Sequence, residues 1–412
     1  MDTVRGVVVV GAGLAGLASA RILTDAGCDV TVVEARERVG GRIWSVPLDN
    51  GEIAEMGAEW VMPADVELRA WVDRFGLPLI DAGVDYLRRE ARGPGASSME
   101  DQDAFLAVAN AALATIPPDG SAGLTLGSFL DALDAPGAGR AAVRMRLQGT
   151  NAADLGQVAL RVARGPLPFA APGATYHRMA RGNQALPDSI AASLPDVRLG
   201  HRVRSVVHGP REVAIHVEGD VELTAAAAIV ALPARVAAGL RFDPFLPDEI
   251  AIALHELPMG VASKLAVPVE GASAPRAIQS SELPFWCWVA NGSDGAVRQC
   301  LGAFTGSELG QESLETAGGD PGPWLERLSA LNPDLALRGT PVFKSWAFDP
   351  LAMGAYAAWD NRSWDRMEQF QRTVGRLAFA GEHTAGPDLH GTMEGALRSG
   401  IRAAAQMLEI LG

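Results

Sequence analysis

The stretch VVVVGAGLAGLASARILTDAGCDVTVVE, residues Val7–Glu34, decides the fold of this chain. Its glycines at 11, 13 and 16 form a G-x-G-x-x-G pattern that directly follows four β-branched residues. Apolar residues at helical spacing come next, Gly27 ends the helix, and Val30–Val33 form a second short apolar run. Such an order predicts a strand, a helix and a second, parallel strand.

The glycines of this unit predict a site for a dinucleotide. Gly11, Gly13 and Gly16 allow a tight turn and the close approach of backbone to a pyrophosphate, which also faces the positive end of the helix. Glu34, 18 residues after Gly16, can accept hydrogen bonds from a ribose hydroxyl. A carboxylate repels a 2′-phosphate, which disfavours NADP here and leaves NAD and FAD open.

The next segment, ARERVGGRIWS at 35–45, bears on the choice between NAD and FAD. The pair Gly40-Gly41 lets the chain pass close to the same pyrophosphate, and Arg42 offers a counter-charge. Arg36 lies between Glu34 and this pair.

The segment RLAFAGEHTAGPDLHGTMEGALRSGIRAAAQML at 376–408 predicts a short strand, Leu377–Ala380, and a helix that opens near Gly391. Small residues along this helix would let it pack closely against a flat surface. The amides of its first turn suit an oxygen that gains negative charge, such as the flavin O2 on reduction. Close helix packing without a ligand is the alternative explanation.

Together, the run E-x-R-x-x-x-G-G-R and the C-terminal F-A-G-E-x-T with G-x-M-E-G-A resemble the flavin amine oxidase family, which includes monoamine, polyamine and L-amino-acid oxidases. Further similar segments follow the family's order. The first, MGAEW at 56–60, resembles the family's strand near the flavin ring, and we expect a strand there. The others are MARGNQALPDSIAASL at 179–194, HRVRSVVHG at 201–209 with AIVALPARV at 228–236, the lysine-bearing run at 240–267, and SWAFDPLAMGAY at 345–356.

The resemblance implies an α/β fold, with a Rossmann-type FAD-binding domain made of interleaved segments and a substrate domain that is part mixed sheet and part helical. We expect the FAD-binding domain to comprise 1–77, 179–240 and 371–412. The substrate-binding domain would comprise 78–178 and 241–370, with the helical part at about 85–175 and the mixed sheet near 255–350.

The resemblance also implies which residues hold FAD. No cysteine falls where the family forms its covalent thioether, so we expect FAD to be bound non-covalently. The expected cofactor-binding residues are Gly11, Gly13, Gly16, Glu34, Arg36, Gly40, Gly41, Arg42, Gly57, Ala58, Val203, Gly381, Glu382, Met393 and Ala396.

Four residues are expected to act on the substrate. By resemblance, Lys264 holds a water against flavin N5, although a lysine on an exposed strand face is the alternative. Tyr356 matches the family's aromatic cage residue, whereas Thr392 replaces the tyrosine of the opposite wall and implies a wider pocket. Trp60 stands near the position where amino-acid oxidases of the family carry arginine, which disfavours an α-amino acid as substrate.

Two tryptophans in PFWCWVANG, Trp286 and Trp288, alternate on one face of a predicted strand. They either line the pocket or belong to the core of the sheet.

Composition excludes several function classes. The net charge is −14 and no basic run occurs, which argues against nucleic acid and anionic membranes as partners. The three cysteines form no metal-binding pattern, so no metal is expected, and so few thiols are typical of a reducing cytoplasm. No secretory signal and no membrane-spanning segment is expected. The oligomeric state stays open between a monomer and a homodimer.

The expected reaction is FAD-dependent oxidation of an amine C–N bond to an imine, which water then hydrolyses, while O2 is reduced to hydrogen peroxide. An L-amino-acid oxidase, or a biosynthetic flavin desaturase or dehydrogenase, is the alternative within enzymes. A flavoprotein whose flavin does not turn over is the alternative outside them.

Overall fold

The fold is described from a computed structural model, which covers residues 6–135, 137–164, 176–314, 318–386 and 389–412. Parts of the expected domains, at 1–5, 136, 165–175, 315–317 and 387–388, lie outside these described residues.

The strands, in chain order, are β1 (Val7–Val10), β2 (Val30–Val33), β3 (Ser45–Pro47), β4 (Ile53–Glu55), β5 (Leu79–Asp81), β6 (Glu90–Arg92), β7 (His177–Met179), β8 (Val197–Arg198), β9 (Val203–His208), β10 (Val213–Val217), β11 (Val221–Ala225), β12 (Ala227–Val230), β13 (Arg241–Asp243), β14 (Ala262–Glu270), β15 (Arg276–Ser280), β16 (Phe285–Val289), β17 (Cys300–Gly306), β18 (Ala336–Leu337), β19 (Val342–Ser345) and β20 (Leu377–Phe379).

The α-helices are α1 (Leu14–Asp25), α2 (Val66–Arg74), α3 (Met99–Thr115), α4 (Leu126–Ala132), α5 (Arg140–Asn151), α6 (Ala185–Ala192), α7 (Ala234–Ala238), α8 (Asp248–Glu256), α9 (Ser307–Ser313), α10 (Gly322–Leu331), α11 (Asn361–Asp365) and α12 (Met393–Leu411).

A five-stranded parallel sheet, in the order β20-β12-β1-β2-β8, carries the predicted βαβ unit near its centre. Strands β1 and β2 have the predicted bounds, and the helix between them ends at Asp25, with Ala26 as its C-cap and Gly27 following at φ +84°. Because β1 is covered on both faces, all four of its valines are buried. The first and last segments of the chain therefore meet in one sheet.

Helix α12 packs closely against α1. A Cβ at Gly400 would lie 2.2 Å from the backbone oxygen of Ala15, and the Ser19 hydroxyl donates to the Gly400 oxygen over 3.0 Å. Gly400 thus serves close packing between the two helices, while the first turn of α12 faces the cavity described below.

A mixed sheet with the core order β18-β14-β17-β16-β15-β6 lies in the expected substrate region, and β19 pairs with β14. Strand β14 forms antiparallel pairs with both β17 and β19, so its middle is buried between neighbours. Strand β6 departs from the expectation of a helical part from residue 85 onward, because it adds a parallel edge strand to this sheet. The domain boundaries themselves stay a prediction.

The expected strand at MGAEW was wrong in its position. Strand β4 ends at Glu55, and residues 56–60 are irregular backbone. The side-chain amide of Asn183 donates to the backbone oxygens of Ala58 and Glu59, over 3.0 and 2.9 Å. The Trp346 indole N–H donates to the backbone oxygen of Met56 over 2.8 Å. Side chains distant in sequence hold this loop in place.

Within the described residues, no helix is long and apolar enough to cross a bilayer.

Candidate active site

One cavity of about 550 Å³ runs between the parallel sheet and the mixed sheet. Every residue that the sequence predicted for the cofactor or the substrate lines it, with the exception of Gly16. The structure thus brings together segments from the first sixty residues, the middle of the chain and its C-terminal helix.

The three glycines of the first turn divide between packing and the cavity. A Cβ at Gly16 would lie 2.0 Å from the Gly11 oxygen, and one at Gly11 would lie 2.6 Å from the Ala231 oxygen. A Cβ at Gly13 would meet nothing within 4 Å, because this residue borders the open cavity. The turn at Gly40 and Gly41 crosses beside Gly13, forming a bare backbone cradle that fits a pyrophosphate.

Glu34 lies at the end of β2 and lines the cavity. Its two carboxylate oxygens each accept a backbone hydrogen bond, from the amides of Ala12 and Arg36, both over 2.9 Å. A carboxylate oxygen can accept more than one hydrogen bond, so capacity for a ribose hydroxyl remains. Arg36 also lines the cavity, and its guanidinium pairs with Asp349 over 2.7 Å.

Arg42 and Glu382 form an ion pair of 3.1 Å beside the cavity. Burial opposes ionisation of Glu382, but Arg42, His383 and the Gly391 amide together outweigh it and lower the pKa of this carboxyl. The other Glu382 oxygen accepts from the Gly391 amide over 2.8 Å, and the first also accepts from Ala357 over 3.2 Å. Since Arg42 already has a carboxylate partner, its role as a counter-ion for phosphate stays a prediction.

The N-terminus of α12 points its first turn at the cavity, which Thr392, Met393 and Ala396 line. Thr392 is the N-cap: its hydroxyl accepts from the Gly395 amide over 2.9 Å and donates to the Leu389 oxygen over 2.6 Å. The cap leaves the amides of Met393 and Glu394 without an intrahelical acceptor. The sequence analysis considered Thr392 as a pocket wall and did not predict its capping role.

The buried Lys264 ammonium donates to the Glu59 carboxylate over 2.6 Å and to the Gly57 oxygen over 3.0 Å. It also lies 5.2 Å from the centre of the Trp288 ring. The alternative of an exposed lysine is therefore wrong. Glu59 was quoted in MGAEW but not predicted as a partner of Lys264, because 205 residues separate the two.

An aromatic chamber forms the part of the cavity beyond Lys264. Its walls are Trp60, Tyr86, Tyr176, Trp286, Trp288 and Tyr356. The rings of Trp286 and Trp288 lie 4.3 Å apart, and those of Trp60 and Trp288 lie 5.9 Å apart. Both alternatives for the two strand tryptophans thus hold, since each is buried and each lines the cavity.

Tyr356 is fixed in the chamber by the end of helix α5. Its hydroxyl donates to the Thr150 oxygen over 2.5 Å, and burial raises its pKa well above the usual value. Tyr86 donates to the Thr150 hydroxyl over 3.4 Å. Tyr86 and Tyr176 were not predicted, because neither lies in one of the segments that resemble the family.

The cavity has no cysteine that could bond a flavin covalently. The chain's three cysteines all belong to the described residues, are free, and lie outside the cavity lining. The bare glycine cradle, the carboxylate at the end of β2 and the exposed first turn of α12 therefore fit a non-covalently held FAD.

The chain is similar to known proteins over nearly its whole length. The family model for flavin-containing amine oxidoreductase matches residues 14–408. Putrescine oxidase of Kocuria rosea is 56% identical over 73 residues, which cover 18% of this chain and 15% of that protein. Mouse L-amino-acid oxidase is 28% identical over 97% of this chain and 70% of its own. The structure of a putrescine oxidase bound to putrescine superimposes with a TM-score of 0.82, at 21% identity, over 98% of this chain and 99% of the other.

The family match defines the class as a flavin-dependent oxidoreductase that acts on amines. The chain belongs to the family of flavin-containing amine oxidoreductases. FAD is its cofactor.

Proposed function

We propose that this protein oxidises the C–N bond of an amine that carries no carboxylate, giving an imine that water hydrolyses, with O2 reduced to hydrogen peroxide. One observation carries the proposal: the backbone cradle around Gly13 and the aromatic chamber around Lys264 are two ends of a single cavity. A cofactor lying along the cradle would extend its redox ring toward the chamber.

The walls of the chamber suit an amine. Aromatic faces attract an ammonium group electrostatically, and their apolar surface favours the neutral amine once the proton has left. Glu59 and Asp65 add two carboxyl groups to the cavity lining. Burial raises the pKa of Asp65 to about 6.

The roles of individual residues follow from their contacts. Bound FAD supplies the two-electron acceptor, and the protein binds and orients the amine. Tyr356 and Trp60 would confine the amine, and Lys264 would donate a hydrogen bond at the junction between chamber and cofactor. Because two oxygens already fix the Lys264 ammonium, its position does not depend on the substrate.

A second candidate is oxidation of an L-amino acid, and Arg89 is the observation that favours it. This buried guanidinium lies 3.9 Å from the centre of the Trp286 ring, and its Nη2 has no hydrogen-bond acceptor. Its positive charge would favour a substrate carboxylate in the chamber. However, Arg89 does not line the cavity, whereas Tyr86 and Trp286 do, so direct contact with a carboxylate is blocked.

The test is anaerobic mixing of the purified holoprotein with a panel of alkylamines, arylalkylamines, diamines and L-amino acids, while the flavin absorbance is followed. We expect bleaching by amines and slow or no bleaching by amino acids, and peroxide on admission of O2.

The Arg89→Met variant serves as the matched control, because it should leave the rates with amines unchanged. Faster bleaching by an amino acid than by any amine would establish the second candidate, and bleaching that O2 does not reverse would make the protein a dehydrogenase.

We further propose that the protein works in a reducing compartment such as the cytoplasm. All three cysteines are free, and burial raises the pKa of the Cys287 and Cys300 thiols to about 11, which keeps them protonated.

A further inference from the structure

Three buried titratable side chains, Glu55, Glu59 and Lys264, lie together where β4, its following loop and β14 meet. Their exposed fractions are 3%, 8% and 4%. Lys264 has Glu59 as its carboxylate partner, whereas Glu55 has no cation bonded to it among the described residues. Glu55 instead accepts hydrogen bonds from the Ser45 hydroxyl, over 2.7 Å, and from the Asn183 amide, over 2.8 Å.

A second, small cavity of about 10 Å³ lies behind the aromatic chamber. Glu55 and Glu59 both line it, together with Arg298 and Cys300. Such a volume is about that of one water molecule, and the polar lining offers the partners that a buried water needs. Glu59 and Trp288 line both cavities, so Glu59 is the carboxyl group that connects the chamber with Glu55.

The charges around Glu55 leave it able to exchange a proton near neutral pH. Burial raises its pKa to about 7, and the charge of Glu59 adds to the rise, while Ser45, Asn183 and Lys264 oppose it.

The other ionisable groups packed around this cluster have partners of their own or are protonated. Arg298 pairs with Glu52 over 2.7 Å, and Arg178 donates to the Asn291 oxygen over 3.0 Å. The Cys300 thiol is held protonated by burial, which raises its pKa to about 11.

We propose that Glu59 and Glu55 form a proton-accepting pair, through which the proton of an incoming substrate ammonium leaves the aromatic chamber. This inference rests on the proposed function, because only an amine brings such a proton. An alkylammonium resembles the lysine side chain, with a pKa of about 10, so the amine arrives charged at neutral pH and must lose a proton before its C–N bond is oxidised.

The step balances without any further reactant. The substrate N–H bond breaks and its electron pair stays on nitrogen, which yields the neutral amine. The proton forms an O–H bond on the Glu59 carboxylate, and Glu59 passes a proton across the small cavity to the Glu55 carboxylate. Glu59 then returns to its charged state beside Lys264, and Glu55 is left as a neutral carboxylic acid.

The first test needs no turnover. Infrared spectra of the holoprotein, recorded across the neutral range, should show a buried carboxylic-acid C=O band that disappears as the pH rises through about 7. Asp65, whose pKa burial raises to about 6, contributes a second component at lower pH in every variant. The component that disappears at about 7 should be missing from Glu55→Gln and present in the control Glu270→Gln, whose carboxylate is exposed on β14. If that component persists in Glu55→Gln, or is missing from the wild type, the proposal is overturned.

The second test is the pH dependence of anaerobic flavin bleaching by an amine. In the wild type the rate should fall as the pH drops below about 7, because Glu55 is then already protonated. Glu55→Gln and Glu59→Gln should each slow bleaching by roughly 10²-fold, and Glu55→Gln should lose the pH dependence near 7. Unchanged profiles in both variants, at normal flavin content, would show that the two carboxyls are structural.

The two proposals fail in different ways. If no amine bleaches the wild-type flavin, the proposed function is wrong, while the infrared titration still tests whether Glu55 stores a proton. If amines bleach the flavin but both variants behave as the wild type does, only the proton-accepting pair is excluded.

Discussion

Lys264 shows most directly how a single side chain depends on its partners. Its ammonium is buried on β14, and the Glu59 carboxylate and the Gly57 oxygen hold it. A buried ion pair need not stabilise a fold, but removing one member leaves the other charged and unpaired, at a cost of about 3–5 kcal/mol. Function, rather than stability, is thus the better explanation for this pair.

Replacement of Lys264 by methionine is therefore expected to leave FAD binding intact and to slow turnover by roughly 10²-fold, because the group that orients the reaction at the end of the chamber is lost. Stopped-flow measurement of flavin bleaching and reoxidation checks this. Lys344→Met is the matched control, since Lys344 lies opposite Lys264 on β19 but outside the cavity lining. Unchanged kinetics in Lys264→Met would remove its assigned role.

The double variant Lys264→Met with Glu59→Gln separates the effect on stability from the effect on turnover. It removes the unpaired carboxylate and should recover most of the stability lost in Lys264→Met. Its turnover should stay low.

At the scale of elements, the turn between β1 and α1 combines a packing requirement with a ligand requirement. Gly16 lies against the backbone of Gly11, whereas Gly13 borders open space. At Gly16 the lack of a side chain allows the fold to pack, whereas at Gly13 it leaves room in the cavity.

Alanine substitutions distinguish these two requirements. Gly16→Ala should destabilise the protein by about 3 kcal/mol, because its Cβ would lie 2.0 Å from a backbone oxygen. Gly13 has a φ of −68°, which alanine adopts readily, and its Cβ would meet no atom, so Gly13→Ala should keep the stability of the fold. Its FAD affinity should nevertheless fall by at least about tenfold, because the methyl group enters the cradle. Thermal unfolding of the apoprotein and flavin titration measure the two effects. Equal FAD affinity in Gly13→Ala and the wild type would exclude this path for the pyrophosphate.

The acid of the family motif at the start of α12 has a structural role in joining two helices. Glu394, the acid of G-T-M-E-G-A, is fully buried and accepts from the amides of Glu67 and Leu68, over 3.2 and 2.7 Å. It also pairs with Arg398. Its carboxylate therefore caps the start of α2 from another segment of the chain, because Asp65, the N-cap of α2, makes no side-chain cap.

For the whole molecule, buried groups give stability opposite dependences on pH. Burial raises the pKa of Glu55 from 4.5 to about 7, so its folded state keeps a proton that the unfolded chain loses, and stability falls as the pH rises between these values. Burial lowers the pKa of His383 from 6.5 to about 4, so stability falls as the pH drops between those values. Burial also raises the pKa of Asp65, from 3.8 to about 6, so Asp65 acts in the same direction as Glu55. Each shift corresponds to about 3 kcal/mol, and His383 therefore offsets only one of the two carboxyl groups.

Urea unfolding at a series of pH values should reveal the balance of these three groups. The wild type should lose stability as the pH rises from about 4.5 to 6, because Glu55 and Asp65 together outweigh His383, whereas Glu55→Gln should vary little over that window. His383→Leu should lose stability more steeply than the wild type, since the two carboxyl groups are then unopposed. A Glu55→Gln curve parallel to that of the wild type would contradict the assignment of a raised pKa to Glu55.

Local sequence patterns accounted for much of the fold. The βαβ unit has the predicted strands because four consecutive valines, a glycine turn and an apolar helical stripe all favour the same structure. The loop at 56–60 was mispredicted as a strand because its conformation depends on Asn183 and Trp346, which no local pattern contains. Strand β6 was missed for a similar reason, since it exists only as an edge partner of β15.

The sequence by itself determined the dinucleotide turn, the family and many of the residues that line the cavity, because these depend on glycines and charges at short, regular spacings. Only the tertiary structure decided that Lys264 meets Glu59, that the tyrosines and tryptophans close one chamber, and that buried Glu55 has no cation bonded to it within the described part of the chain. Those arrangements join side chains from separate segments, and their energies depend on burial and distance, which exist only once the chain has folded.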